Sequence, residues 1–86
     1  MIIREGDSVY FIIENGNLEF QLLEGEITED ITDEFGKTKF IIECYKDKHM
    51  YYIEPIYVFN NLTLALEKIK TMYMSLGEIL KKYEEK

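Results

Sequence analysis

The chain has 86 residues, with 10 Lys and Arg against 17 Asp and Glu, which gives a formal net charge of −7. This length provides one modest hydrophobic core, so a large enzyme with a deep cleft between domains is excluded. Hydrophobic residues make up 47% of the chain, which is too many for a disordered tail. The acidic balance argues against a partner held mainly through its phosphates. The sequence therefore predicts one folded domain over residues 1–86.

The N-terminal residues do not have the pattern of a signal peptide, so we expect none. Residues 1–7 contain Arg4 followed by two acids, with no long apolar segment and no small-residue cleavage site. Elsewhere no apolar run approaches the ~18 residues of a membrane span. We expect a cytoplasmic protein that does not enter the membrane.

The first structural signal is a β-hairpin. Residues 9–14 and 17–23 are rich in β-forming side chains and are separated by Asn15-Gly16, the pair typical of a tight type I′ turn. In the second run, Leu18, Phe20 and Leu22 alternate with Glu19, Gln21 and Leu23, which predicts one buried and one exposed face. Gly25 predicts a bulge or bend that curls the strand.

Three further short strands are expected. Residues 33–36 form a turn, residues 39–45 and 49–53 form two strands, and Pro55 ends the second. Residues 56–59 form a short fifth strand. Consecutive strands without intervening helices predict a curled antiparallel sheet of four to five strands over residues 1–59, within the α+β class.

The periodicity changes at Asn60, and residues 60–86 are predicted to form a C-terminal helix. Asn60 is the expected N-cap, with Phe59 and Leu64 at the spacing of a hydrophobic staple. Gly77 weakens the helix interior, and Ser75 with Glu78 has the pattern of a capping box. We therefore expect a kink or restart near residues 75–77.

Apolar residues line one side of this helix. The stripe has two interpretations, packing on the sheet of the same chain or a share in a homodimer interface. A coiled-coil heptad would place Ala65, Met72 and Ile79 where charges are expected, which favours packing on the sheet. The candidate interface residues are Leu62, Leu66, Ile69, Met72, Tyr73, Leu76, Leu80 and Tyr83.

The negative charge is regional. Residues 1–36 have a net charge of −9, whereas residues 37–86 have a net charge of +2. The densest segment, residues 24–34, is either a solvated loop that keeps the protein soluble or a surface for a basic partner. Metal binding is a third interpretation, but the segment lacks the ligand spacing of a calcium loop. The candidate partner-binding residues are Glu24, Glu26, Glu29, Asp30, Asp33 and Glu34.

Catalytic residues are scarce. Cys44 is the only cysteine and His49 the only histidine, so no nucleophile, base and orienting group can be assembled by spacing. Metal-binding clusters and glycine-rich phosphate loops do not occur. We expect no enzyme activity, no metal and no cofactor.

Binding of nucleic acid is an alternative. Lysines next to aromatic side chains are typical of small barrels that bind single strands. Tyr51 and Tyr52 point to opposite faces of their strand, so one of them is expected in the core. The lysines are Lys37, Lys39, Lys46 and Lys48, and the neighbouring aromatics are Phe40, Tyr45, Tyr51 and Tyr52.

Several segments resemble small SH3-like barrel proteins that are common among uncharacterised phage and mobile-element genes. These are Gly6-Asp7-Ser8-Val9-Tyr10 at the first strand, Gly25-Glu26-Ile27 in the second, and Val58-Phe59-Asn60-Asn61-Leu62 before the helix. The resemblance implies an accessory binding module without catalytic residues. The function expected first is thus a non-enzymatic protein-interaction module, such as a phage-type inhibitor or adaptor with an acidic surface. A nucleic-acid-binding barrel and a structural homo-oligomer formed through the helix are the alternatives.

Overall fold

The computed structural model describes residues 3–16 and 19–84, with side chains described as far as residue 74. Its described strands form one antiparallel sheet in the order β4-β3-β2-β1-β5. The predicted α+β class is confirmed, and the predicted fifth strand is confirmed only over Val58–Phe59, because Ile56 and Tyr57 belong to a 3-10 turn. In chain order, the elements are β1 (Ser8–Glu14), β2 (Phe20–Thr32), β3 (Thr38–Cys44), β4 (Met50–Ile53), a 3-10 turn (Pro55–Tyr57), β5 (Val58–Phe59) and α1 (Leu62–Glu84).

The sheet is curled but not closed. Its edges are β4 and β5, and among the described strands these two do not pair. Ile53 on β4 and Val58 on β5 nevertheless belong to the same core cluster. The sheet therefore bends its two edges toward a common interior, and the 3-10 turn connects them.

The core occupies one face of the sheet, which we call the inner face. Alternate residues of each strand reach it, and cross-strand neighbours such as Phe11 with Leu23 and Ile27 with Ile42 pack there. Each such side chain contributes about 1.5–3 kcal/mol through burial. The core residues, none of them more than 9% exposed, are Val9, Phe11, Leu23, Ile27, Phe40, Ile42, Cys44, Ile53 and Val58.

Gly25 lets β2 and β3 approach closely. A Cβ atom at this position would lie 2.3 Å from the carbonyl oxygen of Glu43, so any side chain would push the two strands apart. The bulge predicted at Gly25 lies instead at Thr28, where the pairing register shifts between Ile27 and Glu29. The Thr28 hydroxyl donates to the carbonyl of Ile41 at 3.1 Å.

The β1–β2 hairpin is confirmed, but its predicted two-residue turn is wrong. Glu14 pairs with Phe20, and the amide of Asn15 donates to the carbonyl of Glu19 at 2.9 Å. The loop is therefore longer than Asn15-Gly16 alone. Gly16 still supplies a positive φ of 74°, the backbone conformation for which glycine is favoured.

The predicted division of faces in β2 is also corrected. Leu23 lies in the core, whereas Phe20 and Leu22 are half-buried on the opposite, outer face. Phe20 there contacts Tyr73 of α1 edge-on, with ring centroids 5.1 Å apart. Leu18 lies outside the described residues.

Asn61, and not Asn60, caps α1. The side-chain oxygen of Asn61 accepts from the amides of Thr63 at 2.8 Å and Leu64 at 3.3 Å. This places the first helical residue at Leu62, one position later than predicted. The proposed staple between Phe59 and Leu64 consequently loses its spacing, and Leu64 is 49% exposed.

α1 covers only part of the outer face. Its side toward the sheet is formed by Ala65, which is fully buried, and by the half-buried Ile69 and Met72. Met72 borders a small cavity of about 120 Å³ together with Ile12 and Phe20. The helix is continuous from Leu62 to Glu84, so the predicted restart does not occur, while a bend at residues 75–77 stays a prediction.

Among the described residues, no helix combines the length and the apolarity that crossing a membrane requires.

Candidate interaction site

The part of the outer face that α1 leaves uncovered lies over β2, β3 and β4, and we call it the open face. Strand pairing fixes its side chains in rows. One row joins Glu29, Ile41 and Tyr52, and the next joins Glu26 to Glu43. Met50 completes that second row. Successive rows on one face lie about 7 Å apart.

Four carboxylates share this surface, and we call them the acidic row. They are Glu24, Glu26 and Glu29 along β2, with Glu43 on β3. All four are exposed, and within the described residues none of their carboxylates has a hydrogen bond or ion pair. Glu26 and Glu43 are directly opposite each other across the strands, an arrangement of like charges that destabilises a sheet.

Glu43 was missed by the sequence analysis because it is distant from residues 24–34 in the chain. Two signals could have found it. The alternation of β3, in which Glu43 lies between the core residues Ile42 and Cys44, places it on the outer face. An antiparallel hairpin centred on residues 33–36 then brings it beside β2.

The other predicted acidic residues lie elsewhere. Asp30 pairs with the core residue Phe40, so the bulge directs it toward the inner side of the hairpin. Asp33 holds the β2–β3 turn, because its carboxylate accepts from the amides of Phe35 and Lys37, both at 2.9 Å. Glu34 lies in that turn. The predicted segment is thus divided between a surface, a structural turn and the opposite side.

Apolar side chains adjoin the acidic row, and we call them the apolar patch: Ile31, Ile41, Met50 and Tyr52. Tyr52 is 66% exposed, Met50 47% and Ile31 42%, whereas Ile41 is buried beneath them at 9%. Ile31, Ile41 and Tyr52 line an open groove of about 410 Å³. Exposed aromatic and methionine side chains beside a charged rim are typical of protein interfaces.

The four lysines proposed for nucleic-acid binding are not brought together. Lys37 and Lys39 border the groove with Tyr52, Asp33 and Glu54. The other pair, Lys46 and Lys48, follows β3 at its opposite end. Lys39 lies on β3 itself and Lys46 lies beyond the other end of the strand, which puts the two pairs about 20 Å apart.

The aromatics near these lysines are also divided. Phe40 belongs to the core. Tyr51 packs on Phe11 with ring centroids 5.4 Å apart, whereas Tyr52 is exposed on the open face. This confirms that Tyr51 and Tyr52 point to opposite faces with only one of them against the core. The hydroxyl of Tyr45 is hydrogen-bonded to that of Ser8.

One electrostatic pair stabilises the β3–β4 turn. The Tyr51 hydroxyl donates to Asp47 at 2.7 Å, and the amide of His49 donates to the same carboxylate at 2.9 Å. These bonds favour the ionised acid and lower the pKa of Asp47 below its ordinary 3.8. The hydrogen bond from the Tyr51 hydroxyl to Asp47 favours the neutral phenol and therefore raises the pKa of Tyr51 above 10.0.

The two residues considered for catalysis lie in different surroundings. Cys44 is buried in the core, and the backbone of His49 serves the turn, with its carbonyl accepting from the amide of Cys44 at 3.0 Å. Across the described ranges, no group of three or more His, Cys, Asp or Glu side chains could hold a metal ion.

The candidate helix residues fall into two groups. Ile69 and Met72 are half-buried toward the sheet, while Leu62, Leu66 and Tyr73 are 43–50% exposed. Tyr73 is anchored through its hydroxyl, which donates to the carbonyl of Phe20 at 2.9 Å and accepts from its amide at 2.8 Å. The side chains of Leu76, Leu80 and Tyr83 lie outside those described.

Comparisons with protein-family models, curated proteins and solved structures found no match for this chain.

Proposed function

We propose that this protein is a non-enzymatic protein-interaction module that binds a basic partner protein through the open face. The observation that carries the proposal is the juxtaposition of Glu26 and Glu43 within an acidic row whose carboxylates form no ion pair with any described residue. Such a pair costs stability in the free protein. A basic partner would relieve that repulsion, so partner binding explains the arrangement.

The apolar patch supports the same proposal. Tyr and Met side chains supply contact area at interfaces, and the acids beside them supply orientation and a fast electrostatic approach. Tyr52 and Met50 lie in the same rows as Glu29 and Glu43. A partner that presents lysine or arginine next to an apolar side chain would satisfy both kinds of contact.

We also propose that the fold is of the SH3-like type. The strand order, in which β5 returns to pair with β1, and the curl that brings Ile53 and Val58 into one core support this assignment. An accessory module such as an inhibitor or adaptor would be consistent with it.

The proposal is tested by charge reversal on the open face. The variant Glu26→Lys/Glu43→Lys should lose its basic partners in a pull-down followed by mass spectrometry. The matched control is Asp30→Lys/Glu34→Lys, which alters the same acidic segment away from the open face. The control should keep those partners.

Two results would contradict the proposal. Equal recovery of partners by both variants would show that the open face is not the binding surface. A shift of single-stranded nucleic acid by the unmodified protein at low salt, abolished by substitution of Lys37 and Lys39, would favour the nucleic-acid alternative instead.

A further inference from the structure

β4 is an edge strand, and no other described strand pairs along its free edge. The amide of Cys44 donates to the carbonyl of His49 at 3.0 Å. Hydrogen-bonded pairs alternate along an antiparallel ladder, so the next bonded pairs toward the end of β4 are Ile42 with Tyr51 and Phe40 with Ile53. The N–H and C=O groups of Met50 and Tyr52 consequently point away from β3.

The β2–β3 pairing supports this assignment independently. The amide of Tyr45 donates to the carbonyl of Glu24 at 3.0 Å, which turns residues 43 and 45 of β3 toward β2. Residues 42 and 44 then face β4, as the bond from Cys44 requires. Met50 and Tyr52 therefore each present one donor and one acceptor at the sheet edge, as strand addition requires.

The surroundings of the edge select the charge of an added strand. A side chain opposite Met50 would lie on the open face two strands from Glu43, whereas one opposite Tyr52 would lie three strands from Glu29. Two strand spacings are about 10 Å, a span that an extended lysine and an extended glutamate can bridge together. A lysine opposite Met50 would cover the Met50 side chain with its stem while its ammonium group reaches Glu43, and the stem of a lysine opposite Tyr52 would lie over that ring.

The alternate side chains of an added strand would have different neighbours. They would lie opposite Tyr51, which is half-buried, and Ile53, which belongs to the core. These neighbours favour apolar side chains. The edge therefore fits a strand in which basic and apolar residues alternate.

We propose, in an inference that rests on the proposed function, that the partner binds by β-strand addition. An extended segment of alternating basic and apolar residues would pair along the free edge of β4. Backbone hydrogen bonds would hold the segment, and the acidic row would select its charge. The length of β4, four residues, limits the added ladder to a short one.

The experiment uses a defined probe, an acetylated and amidated peptide of alternating lysine and valine, titrated into the ¹⁵N-labelled protein. At saturation, amide hydrogen exchange should slow about tenfold or more at Met50 and Tyr52, because the added strand makes hydrogen bonds with them. An alternating glutamate and valine peptide and a block peptide of the same lysine and valine content should have no such effect.

A pair of variants separates backbone pairing from side-chain contact. Met50→Pro removes an outward amide and no bond to β3, and edge positions accept proline. It should weaken peptide binding about tenfold more than Met50→Ala does, because Met50→Ala removes the same side-chain contact but keeps the amide. The exchange measurement on the unmodified protein needs no variant and stands even where Met50→Pro fails to fold.

Peptide binding without protection at Met50 and Tyr52, or absence of peptide binding, would overturn the inference of strand addition. The proposed function would survive either result as long as the pull-down still distinguishes the open-face variant from its control. Loss of that distinction would defeat the proposed function itself.

Discussion

The inner and outer faces of this sheet are built from alternate residues of the same strands, yet they differ in almost every physical respect. Ile42 is fully buried and its neighbour Glu43 is exposed. On the inner face, apolar side chains from all five strands meet in one core. On the outer face, α1 covers one half and leaves carboxylates and aromatic groups on the other. The core thus lies on the inner face, while the surface proposed for binding lies on the outer face.

The largest expected effect contrasts the same residue type on the two faces. Ile42→Ala should destabilise the protein by about 4 kcal/mol, because it leaves a cavity in the core. Ile31→Ala, on the open face at 42% exposure, should cost less than about 1 kcal/mol. Urea denaturation followed by circular dichroism measures both. Similar losses for the two variants would show that the open face also belongs to the core.

An intermediate effect is expected where α1 begins over the outer face. Asn61→Ala removes the acceptor for the amides of Thr63 and Leu64 and should cost about 1 kcal/mol. Asn61→Asp keeps an acceptor at the cap and should retain most of the stability. Thermal unfolding of the two variants checks the assignment. A neutral effect of Asn61→Ala would place the cap elsewhere.

The smallest expected effect concerns the β3–β4 turn beside the open edge. The Tyr51 hydroxyl lowers the pKa of Asp47. The stabilisation from ionised Asp47 is therefore complete above pH 3.8 and is lost as the pH falls through the lower pKa that Asp47 has in the folded protein. Because the pKa of Tyr51 is raised, the stabilisation from its neutral phenol is complete below pH 10.0. It is lost as the pH rises through the higher pKa that Tyr51 has in the folded protein.

An NMR titration of the side-chain carboxyl carbon of Asp47 measures the first of these shifts. In Tyr51→Phe the midpoint should move upward toward 3.8, since the main cause of the lowered pKa is removed. An unchanged midpoint in that variant would assign the shift to the amide of His49 alone.

The elements of the fold followed from local patterns, because hydrophobic alternation and helical periodicity depend on neighbouring residues. Register did not. Asn15-Gly16 is a strong local signal for a two-residue turn, but pairing Phe11 with Leu23 in the core sets the hairpin centre farther along. In α1 the largest side chains suggested the buried stripe, whereas close packing on the sheet placed the small Ala65 at its centre.

The candidate site was predictable only in part for the same reason. Glu24, Glu26 and Glu29 are close in sequence and were identified together, but their grouping with Glu43 depends on strand pairing. The separation of Asp30 from Glu29 depends on the bulge at Thr28. Neither feature is encoded in the spacing of charges along the chain.

That bulge also bears on how the gene can change. Beyond Ile27, the side chains of Glu29 and Ile31 point outward only because Thr28 is left unpaired in the ladder. Deletion of the Thr28 codon would give an uninterrupted β2 in which Glu29 and Ile31 still point outward. Insertion of one codon among the paired residues that follow would instead exchange outward and inward side chains as far as the turn. Residue 28 is thus the position in β2 at which a one-codon deletion would preserve both surfaces. Such a deletion could arise during evolution without disturbing the acidic row.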